Sequence, residues 1–542
     1  MRRAAAAAVL GAALLAAPAG ARAQTPAAPD LAGVLDAAFA PWALRQSPGC
    51  AVSVRRGDGP ALERAYGAAH LEHDIPNTPA TVFEAGSVAK QFTAAALLLL
   101  VQDGRLKLSD DVRRHLPELP DYGAPVTLEM LLNHTSGLRD WGDVMAAAGW
   151  PRTTRVYAPA DALAVARRQR GLNYRPGEGY SYTNTGYNLA AEVVARTSGQ
   201  SFAAFTQARL FGPLSMGATR WRDDFRQVVK GRAVAYDKDP RGGWRQLMPF
   251  EDTHGHGALL TTVADLQRWN AALDAGALGT VVTAELQRRS RLNDGREIPY
   301  ARGLLVQTHA GVREVSHGRA TAGYRAWLGR YPDQRVSVAI LCNAADVPTE
   351  ALGRRIAAPL LPPPPPVTAQ PAAVLADSAG RAGLYVDPVS GRTLELTAEG
   401  AALKAPGGAV LEPVAPDRAR WGAHELVFDG PGRLTVRWSD QPPATYARAA
   451  RWTPTAAELA ALAGRYASEE AAAAWVLTVE AGRLVARPAD RPSEAVRLTP
   501  LTKDAFTGAG LAFRIRRDPR GAPVALSLAT PRVWDLRFAR VR

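Results

Sequence analysis

Phe83-Glu84-Ala85-Gly86-Ser87-Val88-Ala89-Lys90-Gln91-Phe92 places a hydroxyl and an amine three residues apart at the point where an apolar run begins. From Phe92 to Val101 nearly every residue is apolar and Gly104 supplies a stop signal, so the pattern predicts a helix buried on all sides, with Ser87 in its first turn. Positions i and i+3 share a helix face, which lets the Lys90 amine address the Ser87 oxygen, while the free N–H groups and positive dipole end favour an alkoxide there. Ser87 is thereby a candidate activated nucleophile. An isolated Ser-x-x-Lys equally describes a helix cap with a solvated lysine, so the rest of the chain has to decide.

The chain has 542 residues, too many for one core, and an ordinary soluble composition. Arg2, Arg3, an Ala/Leu run and Ala21-Arg22-Ala23 read as a secretory signal over residues 1–23, which predicts a periplasmic or secreted protein. No later stretch approaches the ~20 apolar residues of a membrane span. The formal charge of +14 comes from arginine spread along the chain without basic clusters interleaved with aromatics, so nucleic acid is not an expected partner. The charge fits contact with anionic envelope polymers instead. Oligomeric state is not readable. Cys50 and Cys342, the two cysteines, lie in apolar strand-like runs, and this reading prefers two buried unpaired thiols.

Outward from the nucleophile stretch, Leu31 to Leu44 reads as an amphipathic helix and Gly49 opens a strand hairpin closed by Leu62 to Tyr66. Thr127 caps a short helix ahead of Asn133-His134-Thr135-Ser136-Gly137-Leu138, where Ser136 is a rival nucleophile whose following glycine marks it as a turn residue. Residues 158–214 are mostly helical, and Tyr180-Ser181-Tyr182-Thr183-Asn184 interrupts them with a phenol and an amide two apart on a loop, suited to proton transfer and substrate binding. His254 and His256, like His70 and His73, have no third ligand at metal spacing, so no metal site is expected. Three strand-like runs between Gly303 and Cys342 include His317-Gly318-Arg319-Ala320. With the early hairpin they predict an α/β (α+β) domain: a mostly antiparallel sheet whose first and last strands in sequence are neighbours, flanked by helices.

The prolines Pro362 to Pro366 mark a stiff spacer. Beyond it, Ala382-Gly383-Leu384-Tyr385 is echoed by Ala463-Gly464-Arg465-Tyr466, each followed by alternating runs, which predicts two antiparallel β-barrels or two halves of one larger barrel. The expected division is a signal over 1–23, a catalytic domain over 24–360, a Pro-rich linker over 361–374, and β domains over 375–450 and 451–542.

Ser87-x-x-Lys90, Tyr182-x-Asn184 and His317-Gly318-Arg319, in that order, resemble the serine hydrolases of the class C β-lactamase and penicillin-binding-protein group. Asn133 to Leu138, Pro176-Gly177, Thr261 to Trp269 and Gly323-Tyr324 extend the resemblance over roughly residues 31–360. The C-terminal region is similar to lipocalin-like barrels, and a tandem pair of them resembles the D-aminopeptidase branch. The resemblance implies a β-lactamase/transpeptidase-like fold and an acyl-enzyme on Ser87. Lys90 and Tyr182 would share the base role, Asn184 would bind the substrate amide, and His317 would stand in for the lysine common in the third motif. The backbone N–H groups of Ser87 and Ala320 would form the oxyanion hole. No cofactor is implied. Arg319 departs from the glycine usual at its position, where a side chain narrows the cleft or offers a carboxylate contact. The implied substrates are esters, D-amino-acid peptides or amides, and β-lactams, with esterase or D-peptidase ahead of β-lactamase. The alternative is a catalytically weak penicillin-recognising or envelope-binding protein. The branch also implies a barrel loop reaching over the active-site mouth.

Overall fold

The computed structural model describes residues 30–152, 154–365, 373–388, 390–422, 424–438 and 443–541. The expected signal over 1–23 and much of the Pro-rich linker lie outside the described residues.

A six-stranded antiparallel sheet carries the catalytic part, in the order Leu305–His309, Val312–Thr321, Tyr324–Tyr331, Val336–Cys342, Cys50–Arg56, Leu62–Tyr66. The first strand of the chain thus pairs with the last strand of the unit, Val52 opposite Ile340. Side chains alternate across the sheet, and both faces are covered, which is why the strand Val336–Cys342 is apolar throughout rather than alternating. Val52, Val54, Val338 and Ile340 pack under the helices Leu31–Phe39 and Thr349–Ala357. Ala51, Ala339 and Leu341 join the opposite core with the helices Lys90–Gln102 and Val263–Ala275. Among the described residues no helix is long and apolar enough to cross a membrane.

The sheet corrects the reading of the cysteines. Cys50 and Cys342 stand directly opposite each other in the register, with Cα atoms 4.0 Å apart, and are joined in a disulfide. They are 292 residues apart in sequence, and only the pairing of first and last strands makes them neighbours.

The C-terminal part forms two separate antiparallel sheets, eight strands within residues 383–449 and nine within 464–541, which curl into a near-closed barrel and a half-barrel. The internal echo is structural. Tyr385 donates its hydroxyl to the Arg381 carbonyl and Tyr466 to the Leu462 carbonyl, each four residues back and each at 2.9 Å. An arginine from a distant strand closes each unit, Arg448 onto the Ala382 carbonyl and Arg540 onto the Ala463 carbonyl, both at 2.6 Å.

The second β unit does not stand apart from the catalytic part. Trp475, Leu477, Phe513 and Leu536 share one core with Trp141, Val144, Tyr157 and Val165 of the helical insertion. Polar contacts frame this core: Trp475 Nε1 donates to the Ala147 carbonyl (2.8 Å), and the Glu470 carboxylate accepts from Arg139 (2.8 Å) and the Gly171 N–H (3.0 Å). Burying shared apolar surface is what holds the two parts in a fixed relation.

Candidate active site

Ser87 lies in a single 3₁₀ turn, Gly86–Ala89, that runs straight into the buried helix Lys90–Gln102. Its unpaired N-terminal N–H groups give the partial positive charge that favours an oxyanion on Ser87. Two glycines let other segments approach this turn. At Gly86 (φ +51°) a Cβ would come within 3.2 Å of Thr321 Oγ1 and 3.5 Å of the Arg319 carbonyl, so the strand Val312–Thr321 can lie against the turn that carries Ser87. At Gly303 (φ +81°) a Cβ would stand 2.6 Å from the Gln91 backbone nitrogen, so the segment carrying Tyr300 packs on the helix Lys90–Gln102.

The Lys90 amine is fully buried and has three neighbours: Ser87 Oγ at 3.2 Å, Asn184 Oδ1 at 2.9 Å and the His256 carbonyl at 3.0 Å. Burial pushes its pKa well below the ordinary lysine value; Arg532 lowers it further, Asp140 opposes, and Arg319 and Arg152 add to the lowering. A neutral amine has two hydrogens and one lone pair. In that form the Asn184 and His256 oxygens would take the hydrogens and leave the lone pair for the Ser87 proton.

Tyr182 closes the site from the other side, its ring centroid 4.8 Å from Lys90 Nζ and 6.3 Å from the His317 ring. Burial raises its phenol pKa; Arg319 leads the groups that pull it back, followed by Ser87 and Arg532. The Tyr182 hydroxyl is buried beside Ser87, the side chain that its phenol faces as a hydrogen-bonding neighbour. His317 is buried, and that burial depresses its pKa well below the ordinary imidazole value, with the Arg319 charge acting in the same direction. Beyond Ser316 its strand has a ladder partner on one side only, so the outer backbone of Gly318, Arg319 and Ala320 lines a cavity of about 690 Å³ together with Tyr182 and His317. Ser87 is 9 % exposed and lies behind the residues that line this cavity rather than among them.

The structure therefore brings Ser87, Lys90, Tyr182, Asn184 and His317 into one cluster with Gly318, Arg319 and Ala320 at its mouth. Ser136 is fully buried and accepts the Leu138 N–H in a turn. Four residues to which the sequence reading gave no role complete the site. Tyr300 places its hydroxyl 3.5 Å from His317 Nε2. His134 accepts the Thr183 N–H at Nδ1 (3.2 Å) and lays its ring 4.2 Å from that of Tyr182. Asp140, 1 % exposed, accepts the Asn184 N–H (2.6 Å), and Arg532 sets its guanidinium carbon 5.2 Å from the Tyr182 ring centre. Arg532 lies on the turn between the strands Pro523–Thr530 and Val533–Val541 of the second β unit, and His424 of the first β unit lines the cavity.

This constellation can carry out base-assisted attack by a serine on a carbonyl carbon, with backbone N–H groups at a helix start to receive the oxyanion. Residues 36–361 match the family model described as Beta-lactamase. The chain belongs to the Beta-lactamase family. It is a serine hydrolase of that family. It is 30% identical over 458 residues to a D-aminopeptidase of Gluconobacter oxydans (strain 621H), an alignment covering 81% of this chain and 83% of the relative. A D-aminopeptidase of Brucella canis is 27% identical over 353 residues, covering 65% of this chain and 66% of that one. Among solved structures, the fold resembles the octameric penicillin-binding protein homologue from Pyrococcus abyssi (TM-score 0.55, 22% identity, 77% of this chain and 99% of that one). It also resembles the D-amino acid amidase from Ochrobactrum anthropi SV3 (TM-score 0.54, 22% identity, 61% and 99%).

Arg319 is exposed at the cleft mouth with its guanidinium carbon 4.8 Å from the Tyr182 ring centre. Arg319→Gly is expected to open the edge of the strand and change which leaving groups are accepted, by about tenfold in relative kcat/KM across a series from small to bulky amines. An unchanged series would remove Arg319 from the substrate path.

Proposed function

We propose that this family member hydrolyses amides or short peptides of D-amino acids through an acyl-enzyme on Ser87, in an exported, oxidising compartment. The observation that carries the chemistry is the buried Lys90 amine within hydrogen-bonding distance of Ser87 Oγ, Asn184 Oδ1 and the His256 carbonyl; in its neutral form the last two take its hydrogens and the lone pair is left for the Ser87 proton. The oxygen of Ser87 attacks the carbonyl carbon as its proton passes to Lys90 Nζ, and the N–H groups of Ser87 and Ala320 receive the oxyanion. Collapse of the tetrahedral intermediate breaks the C–N bond, and the leaving amine takes a proton relayed by Lys90 and Tyr182. Water then attacks the ester and restores the Ser87 hydroxyl.

The D-amino-acid assignment is supported by the relatives, which are D-aminopeptidases, and by the fold likeness to a D-amino acid amidase. Export is supported by the Cys50–Cys342 disulfide, a linkage that persists outside reducing compartments. The test is a hydrolysis screen pairing D- and L-aminoacyl anilides with short-chain esters and nitrocefin. D-anilides are expected to be cleaved at least about a hundredfold faster than their L counterparts, the scale of a binding site that mispositions one enantiomer. A preference for L-anilides, or turnover of nitrocefin alone, would overturn the assignment.

A further inference from the structure

Arg532 belongs to the tight turn between the strands Pro523–Thr530 and Val533–Val541 of the second β unit. Thr530 Oγ1 fixes the turn, accepting the N–H groups of Arg532 (3.1 Å) and Val533 (3.0 Å) and donating to Asp143 (2.6 Å). The Arg532 carbonyl accepts from Asn173 Nδ2 (2.9 Å), and the Trp534 N–H donates back to Asn173 Oδ1 (3.0 Å). So anchored, the guanidinium stands 3.7 Å from Asp140 Oδ2.

Asp140 is a buried carboxylate tied to the base by one residue. Its Oδ1 caps the helix Trp141–Ala147 through the Gly142 N–H (3.0 Å), its Oδ2 accepts the Asn184 N–H, and Asn184 Oδ1 holds Lys90. Left uncompensated, that negative charge would favour an ammonium at Lys90. An ammonium spends its third hydrogen on Ser87 Oγ and has no lone pair to accept a proton.

We propose that Arg532 is a positioning residue of the hydrolytic site, brought in by the second β unit to offset Asp140 so that the Lys90 amine stays neutral and able to take the Ser87 proton. The proposal rests on the acyl-enzyme reading above. The groups facing Lys90 come from every surrounding element: Ser87 on its own turn, Tyr182, Asn184 and Tyr187 from the loop and helix beside it, His134, His317 and Arg319, and Arg152 with His256. Of the charges among them and around them, Arg532 acts most strongly on Lys90 and Asp140 next, in the opposite direction. Asp143, beside the pair, is raised by burial and by Asp140 to about 6 and is the neighbour that titrates near neutrality. On this reading the C-terminal sheet is part of the machinery that activates the serine, which separates it from a loop that merely narrows the cleft.

The experiment measures the rate of Ser87 labelling by a small fluorophosphonate, and kcat/KM for an activated acetate ester, against pH in the full-length chain. Arg532→Gln keeps reach and hydrogen bonding without charge; its acid limb is expected to move up by about one pH unit, an about tenfold slower reaction below the limb and wild-type rates above it. Arg532→Lys restores the charge and is expected to keep the wild-type limb. The same shift in an Asp143→Asn background assigns it to Arg532 rather than to Asp143. If both Arg532 variants keep the limb and differ only in KM for bulky substrates, the residue acts by space alone and the proposal is overturned. A folded Arg532→Lys protein with a displaced limb overturns it too, whatever the fate of the glutamine variant. Should the wild-type chain take no label at Ser87, the acyl-enzyme reading fails first and the proposal falls with it.

Discussion

Replacing Ser87 by alanine is expected to abolish turnover of every substrate, a loss on the order of 10⁶ in kcat, with substrate binding changed only a few fold. The size follows from the absence of a substitute. Ser136, which shares the clustering of serine, glycine and histidine in sequence, is fully buried with its oxygen occupied by the Leu138 N–H. Lys90 and Tyr182 remain in place in the variant but have no oxygen to activate. The fold loses little, because Ser87 Oγ contributes one contact to Lys90, whose contacts with Asn184 and His256 are unchanged. Mass spectrometry after fluorophosphonate treatment checks the assignment: one adduct on Ser87 in the wild-type chain and none in the variant, at an unchanged melting temperature. A residual rate above about one per cent of wild type, or an adduct on another side chain, would put the nucleophile elsewhere.

The parts of this site that sequence disclosed are those encoded by short spacings. Ser87 and Lys90 share a helix face, Tyr182 and Asn184 a loop, and Gly318 to Ala320 a strand edge, so each pair announces its chemistry locally. The sheet was legible for the same reason: the apolar runs at Cys50 and Val336 required cover on both faces, and the echoed tyrosines at 385 and 466 marked the β units. What sequence could not disclose are pairings between distant segments. The disulfide depends on which strands are neighbours and in which register. Asp140 reads as an ordinary helix cap, and nothing near Arg532 names the carboxylate it will meet. Trp141 and Tyr157 signal apolar faces without saying that a barrel more than three hundred residues later will cover them. Tyr300 belongs to a segment whose only local sign is the glycine at 303, needed for its approach to the nucleophile helix.

Lys90→Met is expected to lower kcat/KM on the order of 10³-fold, the contribution of a positioned general base, and at the same time to stabilise the folded chain at neutral pH. Methionine matches the apolar stem of lysine and carries no proton to lose. The stability change follows from the sign of the pKa displacement. Burial, reinforced by Arg532 and opposed by Asp140, depresses Lys90 in the folded state below its ordinary 10.5. The unfolded chain therefore holds a proton that the folded chain gives up, and folding stability rises with pH between the depressed value and 10.5. Below that window the wild type carries the full cost of a buried amine; above it the cost is gone. Denaturant melts of the two proteins between pH 6 and 11 are expected to show the variant ahead by about 1–2 kcal/mol at neutrality, the usual gain from relieving a functional site, with the gap closing toward pH 11. A variant less stable at every pH would mean that Lys90 is an ammonium held by all three of its oxygen neighbours, and the base would then have to be Tyr182.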